Sequence, residues 1–336
     1  MAAFSSFAEP VRRTANVTNV MRSPPGIPPP RVFILMSTYN GANYLQDQLQ
    51  SLAAQSHANW TLYWRDDGSS DASRDIVSRF AEDMGGGRCV QVAGPTGRLR
   101  PTESFMTVLR AALPAMQLAD LVAFADQDDV WLADKLARGA ATLAVADCAT
   151  PALYCAHLSV VDARLQRARE TCISQQNCGF PAALTQNIAT GCTVMMNCPA
   201  AALVAASTAP QGTLHDWWSY LLVSAAGGQI VVDDSVVALY RQHGANVVGM
   251  HSSQTLRAIA ALRRGPAAFM HVLREHVTAL LAQPQLVCPV NHAILLQVQQ
   301  ALDGDLRDRL SALRLPGLRR QTALETLLFR TWFLLG

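Results

Sequence analysis

The sequence predicts an α/β fold in which a doubly wound, mostly parallel sheet is flanked by helices and followed by a C-terminal helical extension. Apolar runs short enough to be buried strands alternate with helical patterns between residues 32 and 125. Alternation at this spacing is typical of parallel strands joined by right-handed helical crossovers. The carboxyl ends of such strands share one edge of the sheet, where ligands bind.

The predicted elements follow one another from Arg31. In the first half we expect strands over 32–36, 61–64, 89–92 and 121–125, and helices over 43–55, 72–83 and 102–113. Asp71 is placed to cap the second helix. In the second half we expect strands over 152–158, 189–196 and 230–240 and a helix over 214–225. The pattern is helical beyond residue 253, with interruptions at Pro266, Pro284 and Pro316.

Three regions follow from this pattern. Residues 1–30 end in a proline-rich run and are predicted to be a disordered lead. Residues 31–250 are predicted to form the α/β domain, and residues 251–336 the helical extension.

The totals narrow the class of protein. The chain has 336 residues with 27 basic and 25 acidic side chains, a net charge of +2. A chain with so small a net charge is not typical of proteins that bind nucleic acids by neutralising their phosphates, so we expect no nucleic-acid partner. The eight cysteines form no CxxC pair, and no apolar leader or spanning segment is evident. We therefore expect reduced thiols in a cytoplasmic protein.

The most informative segment is Asp126-Gln127-Asp128-Asp129, which directly follows the apolar run 121–125. Carboxylates this close repel one another, and a hard divalent cation removes that cost because Mg²⁺ and Mn²⁺ favour carboxylate oxygens. The segment therefore predicts a metal site at the carboxyl end of the sheet. An acidic start to the following helix is the alternative, since carboxylates also favour helix N-termini.

Two further strand ends carry polar loops. Asp66 and Asp67 follow the second strand, where a carboxylate can accept from a nucleoside N–H or hydroxyl; a helix cap after a glycine turn is the alternative. Ser37 to Asn40 follow the first strand, where Tyr39 can stack on a base while the small hydroxyls approach it. An ordinary capped turn is the alternative there.

Two segments of the second half add titratable groups. Asp216 lies between His215 and two tryptophans, so desolvation can raise its basicity and suit it to act as a general base, unless it only caps a helix. The segment Arg241 to Gly244 follows the last predicted strand. His243 can bind a metal or a diphosphate there, and a structural histidine is the alternative.

Taken in order, these motifs resemble those of the family-two glycosyltransferases, and within that family the bacterial rhamnosyltransferase-like members. The likeness spans Arg31 to Gly249 and includes the segment Asn187 to Cys192. It implies a GT-A type domain and a nucleotide-sugar donor. One departure is Pro95-Thr96-Gly97, where relatives often carry Asn-Leu-Gly, and it weakens the donor contacts expected of that loop.

The resemblance also implies roles for individual residues. Tyr39 and Asp67 would contact the nucleoside. Asp126 and Asp128 would hold the cation and the diphosphate, with Asp128 as the direct ligand of the cation, and His243 would complete that site. Asp216 would be the catalytic base. The implied cation is Mg²⁺ or Mn²⁺. Ser37, Asp66 and Arg241 join the predicted donor contacts because they lie at the same strand ends.

These roles predict an inverting, metal-dependent glycosyltransferase. It would move a sugar, rhamnose by resemblance, from a nucleotide-diphosphate donor to a glycan or lipid-linked acceptor hydroxyl in cell-surface polysaccharide synthesis. A non-catalytic binding module derived from such an enzyme and a sugar nucleotidyltransferase are the alternatives. The nucleotidyltransferase would need a glycine-rich arginine loop after the first strand, where this chain has Ser37 to Gly41.

The C-terminal helices leave a choice open. Arginines are interleaved with apolar residues over 255–275 and 313–334, a pattern that suits peripheral contact with the anionic inner face of a membrane. A helical cap packed on the sheet, or an interface between copies of the chain, is the alternative.

Overall fold

A computed structural model of the chain describes residues 29–95, 97–244 and 254–336. The predicted proline-rich lead therefore lies outside the described residues, apart from its last two. Nine strands form one sheet: β1 Val32–Thr38, β2 Trp60–Asp66, β3 Cys89–Gln91, β4 Leu121–Ala125, β5 Val130–Trp131, β6 Ala152–Val161, β7 Arg167–Glu170, β8 Met195–Asn197 and β9 Gln229–Arg241.

Helices connect and cover these strands. In the first half they are α1 Ala42–Ala53, α2 Ser73–Met84, α3 Pro101–Ala112 and α4 Lys135–Leu143. In the second half they are α5 Ala182–Thr185, α6 Cys198–Ala205, α7 His215–Ala225, α8 Gln254–Leu281, α9 Pro289–Asp303, α10 Leu306–Ala312 and α11 Ala323–Leu335. Helix α8 is broken at Gly265, next to the predicted interruption at Pro266.

The strand order is β3-β2-β1-β4-β8-β6-β9-β5, with β7 attached to β6. Strands β1 to β4 are parallel to one another where they pair, and β6 runs parallel to β9. The short strands β5, β7 and β8 are antiparallel to their neighbours. The predicted mostly parallel α/β sheet is confirmed, and the antiparallel strands are additions to it.

Strand β4 is fully buried, and β1 almost so, because both faces of the sheet are covered there. Phe33 and Leu35 of β1 pack into one hydrophobic cluster, while Val32, Ile34 and Met36 pack into a second cluster on the opposite face. All five side chains are fully buried. Burial on both faces explains why such strands are near-continuous apolar runs in the sequence.

The C-terminal helices share the first of these clusters. Residues of α8, α9 and α11 pack in it together with α3 and α7, among them Leu273, Val277, Leu295, Phe329 and Phe333. The extension is thus packed on the α/β domain through a common core. None of the described helices combines the length and the apolar character needed to cross a membrane.

Two local expectations differ from the structure. Residues 189–196 do not form one strand: a 3-10 turn at Gly191–Thr193 precedes the three-residue strand β8. The turn exists because the Gly191 N–H bonds a side chain of α7, a contact that local propensity cannot show. Asp71 does not occupy the N-cap of α2, which is Ala72; its carboxylate accepts from the N–H groups of Ser73 and Ala42 and so joins the starts of α2 and α1.

We expect Gly228→Ala to destabilise the protein by about 1–3 kcal/mol, because overpacking at a rigid site costs that much. A Cβ at Gly228 would lie 2.6 Å from the Pro151 carbonyl oxygen and 2.8 Å from the Val223 carbonyl oxygen, and neither backbone group can move aside. Denaturant unfolding measures the change. Gly179→Ala is the matched control, since nothing lies within 4 Å of a Cβ there, and an equal loss in both variants would contradict the argument.

Candidate active site

The carboxyl ends of β1, β2 and β4 meet at one edge of the sheet. In the strand register Thr38 lies beside Asp66, and Met36 lies beside Ala125, the residue before Asp126. Parallel pairing therefore brings together three loops that are far apart in the sequence. The predicted donor and metal residues of the first half are all at this edge.

Gln127 joins the loop after β1 to the loop after β4. Its side-chain amide accepts from the Tyr39 N–H at 2.8 Å and donates to the Tyr39 carbonyl at 3.0 Å. A Cβ at Gly41 would overlap Gln127 Oε1, so only glycine leaves room for this amide. Sequence reasoning assigned no role to Gln127. Its position explains why an amide stands among the carboxylates of the acidic segment.

The two acids at the end of β2, Asp66 and Asp67, are held by different hydrogen bonds. Asp66 accepts from Thr38 Oγ1 at 3.3 Å and from the N–H groups of Gly68 and Ser69 at 3.2 and 3.0 Å, as a turn-forming aspartate does. Asp67 is buried, and Arg65 donates to its Oδ1 from Nη1. Asp67 also accepts from the backbone N–H groups of Leu99 and Arg100, at 2.7 and 3.0 Å.

The loop after β3 closes over this part of the edge. Arg65 donates from Nη2 to the carbonyls of Pro95 and Gly97, both at 3.2 Å, and so holds the loop with the same guanidinium that bonds Asp67. The Arg98 guanidinium lies 3.8 Å from the centre of the Tyr39 ring. The face of Tyr39 predicted to stack on a base is therefore beside a cation. Ser37 Oγ donates to Ser104 Oγ at 2.7 Å, deeper in the same region.

Asp128 and His243 meet because β5 pairs with β9. Val130 lies opposite Leu239 in this short antiparallel pair, so the acidic segment runs alongside the end of β9. His243 Nε2 is 2.8 Å from Asp128 Oδ2, and the His243 ring stacks on Tyr44 at 4.4 Å. The structure thus places the two predicted metal ligands in direct contact across 115 residues of sequence.

Arg241 faces inward and supports the acidic segment. Its guanidinium donates to the carbonyls of Asp128 and Ala163, at 2.9 and 2.8 Å, and to Asp47 Oδ2 at 2.7 Å. Its own N–H donates to Asp129 Oδ1 at 3.0 Å. The residue was predicted to contact the donor. In the structure it fixes the backbone of Asp128, and a donor contact stays a prediction.

Asp126, Asp129 and Cys192 form a second tight group beside the Asp128 and His243 pair. One ligand atom from each lies within 4.8 Å of the others. Burial, with the charges of Asp129, Asp128 and Asp216, raises the pKa of Asp126 well above its usual range. Burial and Asp128 raise the pKa of Asp129 to about 7. Burial also raises the pKa of the Cys192 thiol. Burial thus favours the protonated, uncharged forms of all three side chains.

Asp216 is the second residue of α7, and its charge is among those that raise the pKa of Asp126. It is buried, and its Oδ2 accepts from the Gly191 N–H at 2.9 Å while its Oδ1 accepts from the Trp217 N–H at 2.5 Å. The Asn187 side chain is a further group that lowers the pKa of Asp216. Burial raises the pKa of Asp216 to about 6, because desolvation outweighs these hydrogen bonds. A carboxylate of raised basicity is suited to take a proton near neutral pH.

The aromatic neighbours of Asp216 divide between core and site. Trp218 is fully buried and donates from Nε1 to Ser207 Oγ at 2.7 Å, so it is a core residue. Trp217 is only half-buried and donates to the Ala183 carbonyl at 2.9 Å. His215 stacks on Phe105 at 3.9 Å, and burial lowers its pKa to about 3, which keeps the ring neutral.

Gly191 is the point where these groups meet. A Cβ there would lie 3.0 Å from His215 Nε2 and 3.3 Å from Asp126 Oδ2, while the Gly191 N–H bonds Asp216. Gly191 and Cys192 were noticed in the sequence as part of a motif and given no role. The antiparallel pairing of β4 with β8 brings them beside the acidic segment, and no short-range signal predicts that pairing.

A divalent cation fits Asp128 and His243. The carboxylate and the imidazole approach each other with side-chain exposures of 17% and 10%, so neither is fully buried. Both groups are ligands that Mn²⁺ accepts, and Mg²⁺ prefers oxygen. The group of Asp126, Asp129 and Cys192 fits a hard cation less well, since burial keeps its thiol protonated.

The family model for glycosyl transferase family 2 matches residues 33–201, just over half of the chain. This protein therefore belongs to the family-2 glycosyltransferases. The match covers the parallel half of the sheet, the acidic segment and the Gly191 turn.

Several proteins resemble parts of the chain. A putative teichuronic acid biosynthesis glycosyltransferase, TuaG of Bacillus subtilis, is 29% identical over 109 residues, which are 32% of this chain and 40% of that protein. The dTDP-rhamnosyl transferase RfbG of Shigella flexneri is 24% identical over 227 residues, 65% of this chain and 75% of that protein. The chain spans 31% and 40% of the length of the first two curated relatives it matches.

The fold also has a counterpart among solved structures. Residues 1–349 of S. aureus TarS, crystallised with UDP-GlcNAc, superpose with a TM-score of 0.51 at 16% identity. The superposition covers 90% of each chain. At this identity the likeness concerns the fold alone, and it confirms the predicted GT-A type architecture.

The raised pKa of Asp216 predicts how stability depends on pH. A carboxyl with a higher pKa in the folded state than in the unfolded state stabilises most below the unfolded value of 3.8, and that contribution is lost as pH rises through 6. Relative to Asp216→Asn, the wild-type free energy of unfolding should fall by on the order of 2 kcal/mol between about pH 4 and 7. Urea unfolding across this range measures it. Parallel stability curves for the two proteins would contradict the assignment.

Proposed function

We propose that this protein is an inverting, metal-dependent glycosyltransferase that transfers a sugar from a nucleotide-diphosphate donor to an acceptor hydroxyl. The single observation that carries the proposal is that Asp128 and Asp216 both lie near enough to Asp126 for their charges to raise its pKa. Asp128 is in contact with His243, a pair suited to a cation, and Asp216 is a buried carboxylate of raised basicity.

Asp216 acts as the general base in this proposal. The acceptor hydroxyl is a poor nucleophile until it loses its proton, and a carboxylate with a pKa near 6 is ionised at neutral pH and basic enough to take it. The bonds from Gly191 and Trp217 fix both carboxylate oxygens in direction. One base and no covalent intermediate suffice for a displacement that inverts the anomeric centre.

The donor is bound at the other side of the same edge. Asp128 and His243 would hold Mg²⁺ or Mn²⁺, which when bound supplies positive charge for the departing diphosphate. Tyr39, Asp67 and the neighbouring Ser37 and Asp66 form the nucleoside side of the site in this proposal. Arg98, which lies on the Tyr39 ring, has to share or leave that face when a base stacks there.

The likeness to the Shigella rhamnosyl transferase favours dTDP-rhamnose as donor and a surface polysaccharide as product. We place the transferase domain at 31–250 and the helical extension at 251–336. The acceptor in this proposal is a glycan or lipid-linked saccharide, met in the cytoplasm at the inner face of the membrane. The extension supports that arrangement by exposing leucine and arginine side chains, whose surface is considered below.

A screen of nucleotide sugars for metal-dependent release of nucleoside diphosphate tests the proposal. We expect release with one donor class in the presence of Mn²⁺ or Mg²⁺, faster when a saccharide acceptor is added. Asp216→Asn should lower the transfer rate by about 10²–10⁴-fold and leave donor binding intact, because it removes only the proton acceptor. Asp83→Asn, an exposed aspartate on α2, is the matched control. Near wild-type turnover in Asp216→Asn would refute the base assignment.

Asp128→Ala should remove the metal-dependent part of nucleoside diphosphate binding, because His243 alone offers a single ligand atom. Calorimetric titrations with and without Mn²⁺ measure that difference. Asp83→Ala serves as control and should bind as the wild type does. If the Asp128 variant kept the full Mn²⁺ dependence, the cation would be held elsewhere.

A further inference from the structure

A hollow lies in the C-terminal extension, and none of the residues that line it belongs to the acidic edge of the sheet. It has a volume of about 540 Å³ and is bounded by the turn between α10 and α11 and by α11 itself. Three arginines line it: Arg314, Arg319 and Arg330. No acidic side chain is among the lining residues that the structure describes. The hollow therefore has the charge of an anion-binding surface.

An exposed apolar stripe runs beside this hollow on α11. Leu324, Leu327 and Leu335 are 70%, 63% and 75% exposed. They recur at helical spacing on one side of the helix, while Phe329 and Phe333 on the other side are fully buried. Arg330 follows Leu327 by three residues, so the arginine flanks the stripe. Exposed apolar side chains in a contiguous set on a surface helix mark an interaction surface.

We propose that α11 and the arginine hollow dock this protein on an anionic phospholipid surface. A helix with leucines on its exposed face and arginines at its flank lies in the interface plane of a membrane, with the leucines among the acyl chains and the guanidinium groups at the lipid phosphates. Arginine suits this role because its planar fork matches phosphate oxygens. The proposal rests on the proposed function only in taking the acceptor to be membrane-borne.

The charge of the hollow favours a lipid surface over a second copy of the chain. A symmetric dimer through this face would place two copies of the arginine-lined patch in one interface, which adds like charges there. Phospholipid headgroups supply the opposite charge instead. Each arginine near an anionic bilayer contributes about 1 kcal/mol of attraction, which salt screens.

The docking surface is joined to the side of the active site that carries the base. Gly317, in the wall of the hollow, packs against Pro181, where a Cβ would lie 3.2 Å from the proline Cδ. The Arg319 carbonyl accepts from Thr185 Oγ1 at 3.1 Å. Asn187 lies two residues further along the chain, and its side chain is one of the groups that lower the pKa of Asp216. The wall of the hollow is thus packed against the segment that leads to the surroundings of Asp216.

Vesicle sedimentation with the full chain tests this inference. We expect binding to vesicles of phosphatidylglycerol and phosphatidylcholine, little binding to pure phosphatidylcholine, and release by salt. Arg314→Gln with Arg330→Gln should weaken partitioning roughly 30-fold, the effect of two arginines. Arg74→Gln with Arg79→Gln, two exposed arginines of α2, removes the same charge elsewhere and should bind like the wild type. Equal loss in both double variants would overturn the docking surface.

The apolar half of the surface has its own matched pair. Leu324→Gln with Leu327→Gln should reduce binding to the anionic vesicles, while Leu118→Gln with Val145→Gln, also exposed, should not. Circular dichroism checks that α11 remains folded, and a folded leucine variant that still binds fully would refute insertion. A stable dimer of the wild type in light scattering, lost in the leucine variant, would assign the stripe to a second copy instead.

Competition with a soluble anion distinguishes binding to a bilayer from binding of a single phosphate group in a discrete site. Inorganic pyrophosphate should release the protein from vesicles no better than sodium chloride of equal ionic strength. Stronger release by pyrophosphate would overturn surface docking in favour of a diphosphate pocket. Donor hydrolysis by the Arg314 and Arg330 variant should match the wild type. If hydrolysis is absent from every protein while vesicle binding persists, the proposed function fails and the docking surface stands.

Discussion

The crowding of carboxylates at the end of β4 is the constraint on which the rest of the structure depends. Asp126, Asp128, Asp129 and Asp216 lie close enough for the charges of the other three to raise the pKa of Asp126. Burying them costs solvation and adds repulsion. Protons on the deeper acids, backbone N–H groups from Gly191, Trp217 and Arg241, and the imidazole of His243 offset that cost. Such a site is stable only if the surrounding backbone is fixed.

Two buried arginines do much of that fixing. Arg65 bonds Asp67 and two carbonyls of the loop after β3, and Arg241 bonds Asp47 and the carbonyls of Asp128 and Ala163. A guanidinium can hold several acceptors at once because its donors are rigid and planar. Each arginine therefore couples an acid of the site to backbone from other parts of the chain.

The helical extension also contacts the residues that surround this site. It shares a hydrophobic cluster with α3 and α7, and its turn before α11 bonds the segment that carries Asn187. Helix α7 carries Asp216, so the proposed base lies at the start of a helix that packs with the extension. The exposed leucines of α11 lie on the side of that helix opposite its buried phenylalanines. One side of the extension thus packs on the helix that carries Asp216, and the other side exposes leucines.

The sequence by itself determined the parallel half of the sheet and the acidic segment. Strands buried on both faces are continuous apolar runs, and Asp126 to Asp129 are adjacent in the chain, so both signals are local. Strands of two or three residues such as β5 and β8 are too short to show a period, and they pair with partners far along the chain. Only the tertiary structure could therefore bring His243 to Asp128 and Gly191 to Asp216. Only the tertiary structure shows that Arg241 holds the backbone of Asp128 and the carboxylate of Asp129. Burial and long-range strand pairing produce no periodic pattern in a sequence from which this contact could be predicted.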